Sequence, residues 1–135
     1  WVGVGDFFQG VYETALESDE VLTAIRLPKP APDSVGIFKE VARRQGDFAM
    51  AGLAFVTAAD SGPRIALLGV ADRPMLARRT MAFLKDSPLN EARAKEAVDL
   101  IGTEVDPPED PTYPPAYRRH LVQVLLQRVL MELIQ

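Results

Sequence analysis

Residues 36–70 read GIFKEVARRQGDFAMAGLAFVTAADSGPRIALLGV, and this stretch decides the fold. Residues 36–43 alternate, with Ile37, Lys39, Val41 and Arg43 on one face, which is the period of a half-buried strand. Gln45-Gly46-Asp47 then reads as a turn, with Gly46 suited to positive φ. Residues 50–58 form a second run, with Leu53 and Phe55 on one face and the small Ala54 and Ala58 on the other. Asp60-Ser61-Gly62 is a second turn signal. Residues 64–70 are apolar on both faces, a pattern that predicts a central strand covered on both sides. Connections this short join antiparallel neighbours.

Downstream the period lengthens to that of helices. Asp72 is the expected cap of a first helix with Pro74 in its first turn, and Ala77, Met81 and Leu84 form its apolar stripe. Asn90 is the expected cap of a second, with Ala94, Ala97, Val98 and Ile101 facing inward and Gly102 at its C′ position. After the prolines at 107, 108, 111, 114 and 115, a third helix runs from about residue 116 to the end. Its apolar residues wrap most of the circumference, so it should be buried on more than one side. That girdle is wider than one sheet face covers, and it predicts an interface element. Strands followed by helices give an α+β class: a small antiparallel sheet of three to four strands packed against three helices.

Upstream the pattern is less regular. Residues 20–27, EVLTAIRL, alternate and predict a strand with Val21, Thr23, Ile25 and Leu27 on one face. Prolines at 28, 30 and 32 then break the chain and mark the best boundary, dividing it into residues 1–34 and 35–135. Gly3, Gly5 and Gly10 do not match the spacing of a dinucleotide-binding fingerprint. The chain opens on Trp1 and not on Met, which suggests a piece of a longer polypeptide.

Composition narrows the chemistry. Among 135 residues 47% are apolar and 25% charged, as in an ordinary globular protein. Without cysteine, the chain itself offers no disulfide, thiolate metal site, Cys-ligated cluster or Cys nucleophile. A single histidine, His120, argues against a His-based metal cage or a Ser–His relay. The net charge of −4 gives no electrostatic case for nucleic acid or an anionic membrane. The longest apolar stretch, residues 49–59, is far short of the ~20 residues a membrane span needs, and no secretory leader is recognisable. A cytoplasmic location is expected.

Few side chains suggest a reaction. Asp19/Glu20 and Glu109/Asp110 read as solvated pairs or caps, and His120 has no evident orienting partner. Arg43-Arg44 could bind an anion or simply flank a solvated turn. Lys39 stands apart, because it shares a strand face with Ile37 and Val41. A lysine there either extends its charge to water past an apolar surface or meets something anionic or electron-rich.

Four segments in order carry a family resemblance. Residues 6–28, DFFQGVYETALESDEVLTAIRLP, resemble the end of the FAD-binding domain in the flavin (medium) subunit of molybdenum hydroxylases, the group that includes aerobic carbon monoxide dehydrogenase and xanthine dehydrogenase. Residues 38–52, FKEVARRQGDFAMAG, resemble the K-x-x-x-R-R-x-x-D-x-A run that opens the C-terminal domain of that subunit. Residues 65–74, IALLGVADRP, and 117–126, YRRHLVQVLL, follow where the family has their counterparts.

The resemblance implies an electron-transfer role. In this family a molybdenum-cofactor large subunit oxidises the substrate, a small subunit with two [2Fe–2S] clusters relays the electrons, and FAD on the medium subunit passes them to an acceptor. It implies that residues 1–34 are the remnant of the FAD-binding domain and 35–135 the C-terminal α+β domain. It implies FAD as cofactor of the complete subunit, an oligomeric enzyme, and flavin contacts from Lys39, Leu22 and Phe38. Arg43 and Asp47 are expected to be structural partners across the turn. The family's Gly-rich pyrophosphate loops have no counterpart here, so this stretch alone is not expected to bind FAD well or to be active. The competing reading is a subunit-interaction module without its own cofactor, and the presence of flavin separates the two.

Overall fold

Two tight turns fold the middle of the chain into a meander. The computed structural model describes residues 1–59 and 61–135. Strand β3 (Val35–Ala42) turns through Gly46, whose φ of +81° would strain any residue carrying a Cβ, into β4 (Ala49–Thr57). A second turn, with Gly62 at φ +64°, leads to β5 (Arg64–Leu68), and the short β6 (Met75–Leu76) closes the sheet. Asp60, the first residue of the expected second turn, lies outside the described residues. The order is β3-β4-β5-β6, each pair antiparallel, so β3 is an edge strand. The β3–β4 register slips between Val41 and Ala42, and this bulge ends the alternation before Arg43.

Helices α2 (Arg78–Lys85) and α4 (Pro115–Ile134) cover one face of this sheet, and α3 (Glu91–Glu104) packs on both helices. Ala51, Leu53, Phe55, Ile65 and Leu67 point into them and are buried, as is the stripe Val122, Leu125, Leu126, Val129 and Leu130 of α4. The opposite face is open, with Phe38 58% and Val56 44% exposed. β5 is therefore central in the sheet but covered on one side only, because Ala66 and Leu68 on its outer face remain half-buried. This corrects the expectation of a strand covered twice. The α+β arrangement of four antiparallel strands and three packed helices agrees with the sequence pattern.

The broad apolar surface of α4 is satisfied inside the fold. One side packs on the sheet and the other on α3, where a Cβ on Gly102 would come within 2.6 Å of Gln123 Nε2. Leu126 and Leu130 are fully buried, so these residues of α4 belong to the core of the layer. Gly102 lies within α3 and is not its C′ residue, since two more helical residues follow it.

Helix α3 starts as its sequence requires, with Asn90 Oδ1 accepting from the Arg93 backbone N–H at 2.9 Å. Helix α2 does not start at Asp72. Residues 75–76 pair as β6, and the helix begins at Arg78 without a local side-chain cap. Its cap comes from the far end of α3: Glu104 accepts from the Arg79 and Thr80 backbone N–H groups at 2.8 and 3.0 Å, and from Thr80 Oγ1 at 2.8 Å.

The N-terminal region is a short helix α1 (Val4–Phe7) and a small hairpin of β1 (Phe8–Gly10) and β2 (Glu13–Thr14), followed by extended chain. The strand expected over residues 20–27 does not form. Val21, Ile25 and Leu27 are 79%, 75% and 80% exposed, because no neighbouring strand among the described residues covers their face or pairs their backbone.

Candidate functional site

The alternation of β3 decides where its side chains go. Ile37, Lys39 and Val41 face the helix layer, and Phe38 faces the open side. Lys39 lies between two half-buried apolar neighbours, so its stem runs along the sheet toward the C-terminal turns of α4. There Nζ meets Glu132 Oε2 at 2.7 Å, with the two side chains 30% and 53% exposed. An ammonium has three N–H donors, and this pair uses one of them. Lys39 stands on the edge strand of the sheet with its side chain 30% exposed.

At the turn, Arg43 Nε lies 3.9 Å from Asp47 Oδ2, the partnership expected across it. Asp47 Oδ1 also accepts from the Phe48 backbone N–H at 3.0 Å, and the Phe48 ring is 87% exposed.

Leu22 lies in the extended N-terminal chain and is half exposed. It lines a shallow cavity of about 270 Å³ with Trp1, Val2, Phe7, Val21, Thr23 and Ala24. The Trp1 ring is stacked by Arg26, whose guanidinium carbon lies 4.1 Å from the ring centroid. Phe38 and Lys39 are thus consecutive but on opposite faces, and no hydrogen bond, ion pair or shared cavity among the described residues joins Leu22 to either. His120 is exposed. No group of three or more His, Asp or Glu among the described residues is arranged to hold a metal ion.

One network was not legible in the sequence. Arg118, in the first turn of α4, donates to Gly69 O at 2.5 Å, to Met50 O and Tyr113 O at 3.3 Å each, and to Asp110 Oδ2 at 2.5 Å. Asp110 Oδ1 in turn accepts from the Thr112 backbone N–H at 2.8 Å. The Thr112 N–H first, and then the Arg118 guanidinium, hold the Asp110 carboxyl below its ordinary 3.8. Asp110 is therefore a structural anchor and not a solvated loop carboxylate. The Pro-rich loop carried no periodicity that could have revealed it.

Residues 36–133 match the CO dehydrogenase flavoprotein C-terminal domain family. The chain belongs to that family. It is 32% identical over 133 residues to the carbon monoxide dehydrogenase medium chain of Afipia carboxidovorans, covering 96% of this chain and 46% of that one. Carbon monoxide dehydrogenase from Hydrogenophaga pseudoflava superposes with a TM-score of 0.83 at 30% identity, covering 92% of this chain and 45% of the other. Quinoline 2-oxidoreductase from Pseudomonas putida 86 superposes with a TM-score of 0.82 at 33% identity, covering 94% and 45%. The chain spans a little under half the length of the relatives it matches. No helix among the described residues is long and apolar enough to cross a membrane.

Proposed function

We propose that these residues form the C-terminal part of the FAD-binding subunit of a molybdenum hydroxylase, which passes electrons from iron–sulfur clusters through FAD to an acceptor. The observation that carries this reading is the match of residues 36–133 to a flavoprotein C-terminal domain, with relatives whose similarity continues through the N-terminal segment. On this reading residues 1–34 are the tail of the FAD-binding domain and 35–135 the C-terminal domain. The partners are a molybdenum-cofactor large subunit and a [2Fe–2S] small subunit, and the enzyme is cytoplasmic. The exposed alternating face of residues 20–27 fits this division, since it is strand-like sequence without a neighbouring strand here.

The side-chain types proposed for the ring end of FAD are present but not gathered here, since Phe38 and Lys39 lie on opposite faces of β3 and Leu22 lines a separate cavity. A lysine ammonium, an exposed aromatic and an exposed leucine are the side-chain types that meet an isoalloxazine ring. The phosphate end has no match among the described residues, where α1 has four residues and no Gly-rich loop leads into a longer helix. Bound FAD supplies the conversion between the one-electron steps of the clusters and a two-electron acceptor. Lys39 contributes positive charge near the ring, where added electrons place negative charge, and Leu22 and Phe38 contribute apolar contact. At an effective dielectric of about 20 and ~5 Å the Coulomb attraction is roughly 3 kcal/mol, which solvent and counter-charge reduce to ~1 kcal/mol. That is ~20 mV for a two-electron couple. In the complete subunit Lys39→Met keeps the stem and removes the charge, so the flavin midpoint potential should fall by about that amount. An unchanged potential and flavin occupancy would remove Lys39 from the site.

The second reading, an interaction module without its own cofactor, draws on the open sheet face around Phe38 and Val56. It predicts a complete subunit that assembles normally and contains no flavin.

A further inference from the structure

Glu132 has a choice of cations. Arg128 stands one turn back on the same helix, in the spacing that commonly pairs along a helix surface. The carboxylate instead crosses from α4 to the sheet edge and takes Lys39 Nζ at 2.7 Å. Lys39 in turn has little freedom, because Ile37 and Val41 flank its stem on the face that α4 covers. The end of α4 thus fixes both the direction and the net charge of the cation that β3 presents.

We infer that Glu132 is a positioning residue for the flavin site: it is the counter-ion that orients Lys39 and attenuates its field, and it makes no flavin contact of its own. The inference rests on Lys39 facing the flavin, as proposed above, and adds the residue that regulates it. An ammonium with a carboxylate at 2.7 Å acts on a third group as a dipole and no longer as a full charge. If the carboxylate is lost and its shape kept, Lys39 acts with its whole charge and the reduced ring, with its extra negative charge, is favoured. Both side chains are partly exposed, so the exchange should not disturb the fold.

The test is a set of three variants of the complete flavin subunit, Glu132→Gln, Lys39→Met and the double variant, with the flavin midpoint potential and the flavin-to-protein ratio as readouts. Glu132→Gln should favour reduction by up to about fivefold, ~20 mV upward for a two-electron couple, at unchanged flavin content. Lys39→Met should lower the potential, and adding Glu132→Gln to it should raise it by less than Glu132→Gln does alone, because only the field of the carboxylate is then lost and no cation is repositioned. If Lys39→Met lowers the potential and Glu132→Gln leaves it unchanged, Glu132 has no positioning role. An equal upward shift from Glu132→Gln with and without Lys39 would also overturn the inference, since the carboxylate would then act only through its own field and would not position Lys39. If Lys39→Met has no effect, the reading of Lys39 fails and the role of Glu132 fails with it.

Discussion

The Arg118 guanidinium donates to the Gly69 carbonyl at 2.5 Å, tying the first turn of α4 to the turn that follows β5. The same group reaches Met50 O in β4 and Asp110 in the Pro-rich loop, so one side chain joins helix, sheet and loop. Arg118 is 14% exposed, and its carbonyl partners have little water to replace it. Arg118→Met should cost roughly 2–3 kcal/mol of stability, because it leaves those acceptors unmet. Urea unfolding at neutral pH measures this, and a loss under ~0.5 kcal/mol would show that water substitutes freely.

Asp110 makes the same network sensitive to acid. Its folded carboxyl titrates below the ordinary 3.8, so its contribution is fully present above that value and is lost as pH falls through the lower folded value. In Asp110→Asn, stability should therefore fall less steeply below about pH 4 than in the parent. Urea midpoints compared at neutral pH and on the acid side of that value read the difference. Parallel curves would mean that the carboxyl is not held down.

Glu104 caps a helix other than its own. Two backbone N–H groups of α2 and the Thr80 hydroxyl depend on it, and Thr80 is fully buried. Glu104→Ala should cost about 1–2 kcal/mol and speed amide exchange in the first turn of α2 before any other helix. Uniform exchange across α2, α3 and α4 would show that the cap acts only through global stability.

Two glycines are tight for different reasons. A Cβ on Gly52 would lie 2.8 Å from the Leu68 side chain, its cross-strand partner. A Cβ on Gly69, at φ +76°, would lie 2.8 Å from Ala49 O and 2.9 Å from Met50 O. Alanine at either position should destabilise by about 1–3 kcal/mol. Leu68→Val should recover part of the Gly52→Ala loss in a double-mutant cycle, because a side chain can be shortened. No side-chain truncation should rescue Gly69→Ala, where the obstacle is backbone. Additive behaviour at Gly52 and Leu68 would contradict the close contact.

The meander was legible because period and punctuation agree over residues 36–68, from Ile37 and Leu53 on one face to Gly46 in the turn. The third helix was legible in extent and in its burial, although its apolar girdle does not name what buries it. The start of α2 was not legible: its cap, Glu104, lies 24 residues beyond Thr80. Residues 20–27 show the converse limit, because alternation states that a face wants covering but not that a partner strand is at hand. At the site, Lys39 could be singled out from its apolar neighbours. Glu132 could not, as nothing local distinguishes it from any exposed glutamate near a helix end.

The most direct test of the account is the flavin content of two purified chains: the full-length polypeptide carrying these residues, and the 135-residue chain alone. About one FAD per full-length chain is expected. For the short chain a Kd weaker than about 1 μM, short of −8 kcal/mol, is expected by flavin fluorescence titration, because the phosphate-cradling loops are missing. A flavin-free full-length polypeptide, or sub-micromolar FAD binding by the 135 residues alone, would contradict the account.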